Sequence, residues 1–289
     1  MQTSTWLHLR IPFSFFLLPV FLFALSISTS PPLFNFFLVF FIIHFFLYPA
    51  SNGYNSYFDK DKNSIGGLEF PPEVSRELYF TSLTLDGIAI LMGFLINWQF
   101  AIMLFVYGFI SKAYSHPGIR LKKYPFTGWF IAGFFQGFFT FLMVYIGINN
   151  IYLQEIQNLQ VYFAASLTSM LLWGSYPMTQ IYQHEEDSLR GDHTLSLVLG
   201  IRGTFIFTAI VFLLSNVAFF LYYLTFYSLT TALVFQLFII PMLIYFLYWY
   251  SKVHKEKELA NYRNTMRLNF ISATCLNIFF VLFFVLKQN

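Results

Sequence analysis

Long apolar runs alternate with short polar gaps along the whole chain. A helix that crosses the hydrocarbon of a bilayer needs about 20 mostly apolar residues, and a run of that length favours helix over strand. Nine such runs are present, with the weakest division at Asn97 between the third and the fourth. The predicted helices cover residues 11–29, 33–50, 78–96, 98–114, 126–148, 158–180, 204–224, 229–250 and 268–287. The pattern therefore predicts an all-α, polytopic membrane protein in which residues 1–289 form a single domain.

The composition excludes a soluble globular protein. Hydrophobic residues make up 57% of the chain and charged residues 10%, against about 25% charged in an ordinary soluble domain. The net charge of +3 indicates no nucleic-acid partner. The single cysteine, Cys275, excludes a disulfide framework. A small set of polar side chains must therefore carry any chemistry.

The basic residues are sorted between the two ends of the predicted helices. Of the 16 Lys and Arg, 15 lie before the first helix or after an even-numbered helix, and the other, Lys287, lies in the C-terminal tail. Cytoplasmic loops are the ones rich in Lys and Arg. We therefore expect a cytoplasmic N-terminus and a C-terminus on the opposite side. The first run is long for a cleaved signal peptide, and a second helix follows at once, which favours a membrane helix.

Two acidic stretches interrupt this apolar background on the predicted cytoplasmic side. Residues 55–63 read Asn-Ser-Tyr-Phe-Asp-Lys-Asp-Lys-Asn, and residues 180–194 read Gln-Ile-Tyr-Gln-His-Glu-Glu-Asp-Ser-Leu-Arg-Gly-Asp-His-Thr. Together they hold 6 of the 13 carboxylates. Acidic groups are expensive next to hydrocarbon, so both stretches are candidate functional sites. The alternative interpretation is a pair of solvated helix ends.

The spacing inside each acidic stretch places oxygen donors on one helix face. Side chains three or four residues apart share a face, and the candidates that do so are Asn55, Asp59 and Asn63 in one stretch, and Gln183, Glu186 and Asp187 in the other. Oxygen donors without a His or Cys cluster favour a hard cation such as Mg²⁺. Mg²⁺ prefers one or two carboxylates together with water and a substrate's phosphates, so the expected ligand is a diphosphate. Nearby cations such as Lys60, Arg120 and Lys122 would then contact phosphate oxygens, unless they are ordinary cytoplasmic loop cations.

Four motifs at predicted helix ends resemble those of the UbiA superfamily of intramembrane prenyltransferases. Asn55-x-x-x-Asp59 with a third oxygen donor is similar to the first family motif, and residues 183–194 followed by Leu199-Gly200 are similar to the second. Residues 114–125, Tyr-Ser-His-Pro-Gly-Ile-Arg-Leu-Lys-Lys-Tyr-Pro, resemble a third signature, and Arg10-Ile-Pro12 fits the segment before the first helix. The resemblance spans most of the chain and implies the same number of helices around a central cavity.

The resemblance also implies a reaction, the transfer of a polyprenyl group from its diphosphate to an acceptor. Asp59 and Asp187 are then the expected catalytic residues, acting through Mg²⁺ held by the six donors above. The expected contacts of the diphosphate are Arg10, Lys60, Arg120 and Lys122. The expected contacts of the acceptor or of the allylic cation are Tyr57, Tyr114, Tyr182 and Asp86. The expected partners are a polyprenyl diphosphate, a hydrophobic or aromatic acceptor of quinone-type biosynthesis, and the lipid bilayer, with a bacterial inner membrane as the location.

Two positions depart from the family pattern and keep other functions open. Asn63 and Gln183 stand where the family usually has Asp, so each exchanges a charged donor for a neutral one. Asp61, Glu185 or Glu186 would have to restore that charge. The alternatives are an intramembrane terpene cyclase of the same fold, an ion-coupled carrier and a non-catalytic member of the family. A carrier is disfavoured because its site usually lies near the midplane of the bilayer.

Overall fold

The computed structural model describes residues 2–288, which form helices joined by loops, the longest of them residues 60–75. Within this range, β pairing is limited to an isolated bridge between Ile65 and Leu68. The helices are α1 (Thr3–Leu9), α2 (Leu18–Ile27), α3 (Leu33–Asp59), α4 (Arg76–Gly93), α5 (Trp98–Ser115), α6 (Pro125–Asn149), α7 (Leu159–Gln180), α8 (His184–Arg190), α9 (Leu195–Phe226), α10 (Leu229–Val253) and α11 (Tyr262–Gln288). A short 3-10 turn, Ile11–Phe16, joins α1 to α2. The all-α prediction is confirmed.

Five of the described helices, α3, α6, α9, α10 and α11, are long and apolar enough to cross a membrane. A sixth span results if the segments Thr3–Phe16 and Leu18–Ile27, which meet at a bend of 43°, are counted as one. The helices α4, α5 and α7 coincide with predicted runs but do not meet the same test of length and composition in residues 2–288. An integral membrane protein is therefore supported, whereas the count of nine crossings is not confirmed.

Side-chain caps mark several of the helix starts. The Asn97 side chain accepts a hydrogen bond from the N–H of Phe100, at 2.9 Å, which begins α5 where the sequence showed its weakest division. Ser228 caps α10 in the same way through the N–H of Thr231. A cap satisfies one of the amide donors that a helix start leaves open. Short polar residues therefore separate helices that composition alone would merge.

The bundle closes on itself because the last helix packs against an early one. α11 lies against α2 and α10, α9 lies against α7 and α10, and α3 lies against α4, α5 and α6. Stacked rings hold the closure, with Phe23 and Phe280 at 4.7 Å between ring centroids. Large apolar side chains such as Leu213 and Leu237 are more than 60% exposed on the outside, as expected for a surface that faces lipid. This ring of helices encloses a cavity, which is described below.

Candidate active site

A cavity of about 320 Å³ extends from the ends of α3 and α7 into the bundle. Its volume lies at the lower end of the range for small-molecule sites, roughly 300–1,000 Å³. The polar end is lined by residues from both acidic stretches and from the loop after α5, namely Asn55, Asp59, Asp61, Lys122, Gln183, Asp187, Arg190 and Thr194. The interior is lined by aromatic and aliphatic side chains, including Phe23, Phe135, Phe212, Met242 and Phe280. The cavity therefore joins a charged end to an apolar interior.

Asp59 is the last residue of α3 and is held by two basic side chains. α3 ends there because Lys60 adopts a left-handed backbone conformation with φ of 51°. Lys122 donates to the carboxylate of Asp59, and Arg120 Nη2 lies 3.3 Å from its Oδ1. Lys122 also lies 3.3 Å from Asn55 Oδ1, one turn earlier on the same helix face. The second predicted helix continues into the first acidic stretch and brings Asn55 and Asp59 into the cavity, but it ends at Asp59, so the expectation that Asn63 shares this helix face is wrong.

Arg190, at the end of α8, connects the two acidic stretches. Its Nη2 lies 3.2 Å from Asp187 Oδ1, while its Nη1 donates to the carboxylate of Asp61 and lies 3.2 Å from the carbonyl oxygen of Asp59. Thr194 donates to the other carboxylate oxygen of Asp187 at 3.1 Å. The Arg190 guanidinium therefore joins Asp187, three residues before it, to Asp59, which lies 131 positions away in the sequence. The two stretches converge on one cavity.

Burial changes the acid–base behaviour of this cluster. Burial raises the pKa of Asp187 to about 6, although Arg190 acts in the opposite direction. Burial, and then the charge of Asp59, raise the pKa of Asp61 to about 6. Burial alone would lower the pKa of Arg190, but the surrounding carboxylates raise it above its usual value. Desolvation therefore leaves two carboxyl groups that would be stabilised as anions by an additional cation.

A second ion pair supports the wall next to Asp59. Arg120 donates from Nε and Nη2 to the two carboxylate oxygens of Asp192, both at 2.7 Å, and Asp192 is 1% exposed. Such bidentate pairs fix the plane of the guanidinium. The hydrogen bond to Asp192 also raises the pKa of Arg120. Arg120 is therefore held as a cation beside Asp59.

Three further residues predicted for ligand contact also line the cavity, namely Arg10, Tyr114 and Tyr182. Arg10 is 8% exposed and donates to the carbonyl oxygens of Gly66 and Asn52, at 3.0 and 3.2 Å. Its Nε is buried and has no partner. The hydroxyls of Tyr114 and Tyr176 are hydrogen-bonded to each other. These contacts place one more cation and two phenols at the junction of the polar and apolar parts.

Several predicted site residues are placed elsewhere. Lys60 and Asn63 are exposed in the loop after α3. The Glu186 carboxylate accepts hydrogen bonds from the backbone N–H groups of Lys62 and Asn63, both at 2.9 Å, so it holds this loop. Tyr57 packs against Tyr79 at 5.1 Å between ring centroids. The structure therefore does not bring these side chains together with Asp59 and Asp187.

Asp86 also has a local partner rather than a place in the cavity. It is 8% exposed within α4, and Lys112 of α5 donates to its Oδ2. Lys112 lies 5.2 Å from the ring centroid of Tyr54 on α3. Of the two interpretations open at the sequence level, the one observed is an ion pair with another helix. The predicted role in acceptor binding has no support from this contact.

A sequence model of the UbiA prenyltransferase family matches residues 16–272. The chain belongs to this family. Members of the UbiA family are prenyltransferases, and the family resemblance expected from the sequence is confirmed. No curated protein matches the chain significantly.

Solved structures of UbiA homologues have the same fold. A UbiA homologue from Archaeoglobus fulgidus bound to DMAPP and Mg²⁺ has a TM-score of 0.69 at 17% identity, covering 98% of this chain and 99% of that one. The same homologue bound to GPP and Mg²⁺ has a TM-score of 0.68 at 17% identity, covering 98% and 100%. A structure described for digeranylgeranylglyceryl phosphate synthase has a TM-score of 0.59 at 19% identity, covering 98% and 96%.

The donor set of this UbiA family member fits Mg²⁺ only when a ligand shares the coordination. Residues 2–288 contain no group of three or more His, Cys, Asp or Glu side chains that could hold a metal ion by themselves. The cavity does present the carboxylates of Asp59 and Asp187 with the amides of Asn55 and Gln183. Mg²⁺ commonly binds through one or two carboxylates, water and substrate phosphates. These oxygens therefore suit a magnesium ion that is bound together with a diphosphate.

One of the two departures from the family pattern, Gln183, holds the loop after α3. The Gln183 side chain donates from Nε2 to the carbonyl oxygen of Ser64, at 3.4 Å, which an ionised Asp could not do. Asn63 contributes its backbone N–H to Glu186. The Gln183 side chain thus helps to hold Ser64 against the second acidic stretch, whereas nothing in the structure explains the exchange at Asn63, which contributes its backbone.

The predicted site residues did not include three members of the charged cluster, Arg190, Asp192 and Thr194. All three lie in the second acidic stretch, directly after Asp187. These residues are recognised by their buried polar contacts, which a single sequence does not show without the tertiary structure. Asp61 was considered only as a replacement charge, and the structure places it in the cavity beside Arg190.

Proposed function

We propose that this chain transfers a polyprenyl group from its diphosphate to a lipophilic acceptor, with an aromatic ring of the quinone-precursor type as the expected acceptor. The observation that carries the proposal is the convergence of Asp59 and Asp187 on one cavity whose other end is apolar. A diphosphate matches the charged end and an isoprenoid chain matches the interior. The prenyl diphosphates bound to the Archaeoglobus fulgidus homologue support the same assignment.

The basic side chains around Asp59 and Asp187 are arranged to hold the leaving group. Lys122, Arg120 and Arg190 neutralise the carboxylates in the structure, and Lys122 and Arg190, which line the cavity, would contact the phosphate oxygens of a bound diphosphate. Donors fixed before the reaction stabilise charge that develops on a leaving group. Mg²⁺ held by Asp59, Asp187, Asn55 and Gln183 would supply a Lewis acid for the same phosphates. The chain thus supports ionisation of the bond between the allylic carbon and oxygen.

The apolar interior would protect the allylic cation that remains. Phenylalanines 23, 135, 212 and 280 line this part, and closing a site against water prevents premature hydrolysis. Tyr114 and Tyr176, hydrogen-bonded to each other, lie where the polar end meets the interior. Their rings are suited to stabilise a cation through their π faces. The acceptor would then attack the cation and lose a proton.

The proposed orientation follows from the basic loops. We infer nine crossings, a cytoplasmic N-terminus, a C-terminus on the opposite side and a site near the cytoplasmic face of a bacterial inner membrane. Arg120, Lys122 and Arg190 lie on the same side as the ends of α3 and α7, which supports this arrangement.

The test is turnover by the purified chain in liposomes with a radiolabelled prenyl diphosphate. Asp187→Asn should lower diphosphate release at least about 100-fold, because it removes a carboxylate that would hold the Mg²⁺ on the leaving group. Glu185→Gln changes the same charge at an exposed position of α8 and should leave release unchanged. Full activity of Asp187→Asn would contradict the proposal. Release without an acceptor, giving a cyclic hydrocarbon, would indicate a cyclase instead.

A further inference from the structure

A second cavity of about 130 Å³ lies between α9 and α10, beside the candidate active site. Its lining is almost entirely apolar and includes Ala209, Phe219, Phe235 and Ile239. Three residues, Leu171, Phe212 and Met242, line both this side cleft and the main cavity. The two spaces are thus separated by side chains and not by a helix backbone.

The position of the side cleft along the bundle sets which part of a substrate can reach it. Leu171 precedes Gln180 by nine residues on α7, which corresponds to about 14 Å at 1.5 Å per residue. The four-carbon backbone of an isoprene unit, with C–C bonds of about 1.5 Å, spans at most about 5 Å. When a diphosphate is bound at the charged end, about three isoprene units therefore fit between that end and the level of Leu171.

We propose that the side cleft between α9 and α10 binds the distal isoprene units of long prenyl diphosphates, entered between Phe212 and Met242. The inference rests on the proposed function and extends it to the length of the donor. An unbranched Met and a ring at the cleft's surface can change rotamer without moving a helix, so both can yield to a chain. Donors of four or more units would gain apolar contacts there that donors of two units cannot reach.

One polar group in the cleft provides a discriminating probe. The Asn216 side chain lines the cleft, and its Oδ1 is buried without a partner. A hydrocarbon chain gives that oxygen no donor, so removing it should improve the binding of a prenyl tail. A lipid with a hydroxyl group would instead donate to it. Asn216→Leu should therefore lower KM for a four-unit donor, and a raised KM would overturn the assignment of a prenyl tail.

The main experiment compares geranyl diphosphate, with two units, and geranylgeranyl diphosphate, with four, in proteoliposomes of the full chain. Ala209→Trp fills the cleft from α9 and should lower the ratio of kcat/KM for the four-unit over the two-unit donor by about tenfold or more, the scale of a lost apolar contact in a substrate pocket. Leu214→Trp adds the same ring on the exposed side of α9 and should leave the ratio unchanged. An unchanged ratio in a folded Ala209→Trp protein would overturn the inference.

A binding measurement separates this inference from the proposed reaction. A geranylgeranyl diphosphate analogue with a diazirine at its terminal unit should label peptides containing Phe219 or Phe235 in the wild-type chain. Labelling without turnover would contradict the proposed function and support the cleft. Turnover with labelling confined to α2 and α11 would support the function and overturn the cleft.

Discussion

Arg190 shows how a single side chain can determine the geometry of the site. Its guanidinium contacts Asp61, Asp187 and the backbone of Asp59, so it neutralises carboxylates from both acidic stretches. Without Arg190, the buried carboxylates of Asp61 and Asp187 would lose this cation, and removing one partner of a buried ion pair is strongly destabilising. The arrangement holds the two acidic stretches together. It also supplies donors where phosphate oxygens are expected.

Glu186 provides the clearest contrast between a metal ligand and a residue that holds a loop. Its carboxylate accepts two backbone hydrogen bonds from residues 62 and 63, and bonds to a charged group contribute about 1.5–3 kcal/mol each. Glu186→Ala should therefore speed amide hydrogen exchange in residues 60–70 by about tenfold or more. Exchange followed by mass spectrometry measures this effect.

The control for Glu186→Ala is Glu185→Ala, which removes an exposed carboxylate from the adjacent position. It should leave exchange in residues 60–70 at the wild-type rate. The concentration of Mg²⁺ needed for half-maximal activity should be similar in both variants. A strong increase in that concentration for Glu186→Ala, with unchanged exchange, would make Glu186 a metal ligand.

The Asp86–Lys112 ion pair is expected to stabilise the fold and not to take part in the reaction. The side chains of both residues are less than a fifth exposed, so removing one leaves the other as an isolated buried charge. Breaking such a pair costs about 3–5 kcal/mol, whereas replacing both partners by apolar residues is often neutral. Asp86→Leu should lower the thermal midpoint in detergent, and Asp86→Leu with Lys112→Met should recover most of the loss. Equal midpoints for Asp86→Leu and wild type would contradict this role.

At the scale of elements, the apolar runs predicted where helices lie but not where they end. α3 continues nine residues past its predicted end to Asp59, and α9 begins at Leu195 instead of residue 204. The first extension is polar, so hydropathy alone does not include it, and it carries Asn55 and Asp59 of the site. The second, residues 195–203, is largely aliphatic but is interrupted by Gly200, Arg202 and Gly203, and it directly follows Thr194 of the site. The helical spacing of Asn55 and Asp59 anticipated the first extension, whereas no comparable spacing indicated the second.

Gly200 permits the shape of the second extension. α9 changes direction there because Gly200 has φ of 66° and ψ of 173°, a conformation accessible essentially to glycine. Nothing lies within 4 Å of a Cβ built at this position, so a substitution would act through the backbone alone. The change of direction turns residues 194–199 back towards the site. There Thr194 reaches Asp187, and Ser196 lies 2.7 Å from a ring nitrogen of His184.

Gly200→Ala should therefore destabilise the protein by about 1–3 kcal/mol, through strain at a positive φ. Gly87 is a matched control, because a Cβ there also meets nothing within 4 Å but its backbone is helical. Gly87→Ala should leave stability unchanged or raise it by up to about 1 kcal/mol. Unfolding in detergent with increasing SDS measures both. Equal effects of the two substitutions would show that α9 can straighten without cost.

At the scale of the whole molecule, the sequence indicated which polar stretches lie close together. It was less informative about which cation pairs with which carboxylate. Two stretches at corresponding helix ends were expected on one side, and the cavity contains members of both. Pairing depends on which cation reaches which carboxylate, and those distances follow from packing among α3, α8 and the loop before α6. Composition and spacing contain no information about such contacts. The side cleft was unpredicted for the same reason, since apolar cavities leave no polar signature.

The sorting of Lys and Arg predicts an orientation in the membrane. Single introduced cysteines can test it, because Cys275 is the chain's one native cysteine. In a Cys275→Ser background, Ile119→Cys lies in the loop between α5 and α6, and Gln157→Cys lies between α6 and α7; both positions are exposed. α6 is apolar enough to cross the membrane once, so the two loops must lie on opposite sides if it does. A membrane-impermeant maleimide should label Gln157→Cys in right-side-out vesicles and Ile119→Cys in inverted ones, because the basic loop faces the cytoplasm. The reverse pattern would invert the proposed orientation, and labelling of both from one side would mean that α6 does not cross the bilayer.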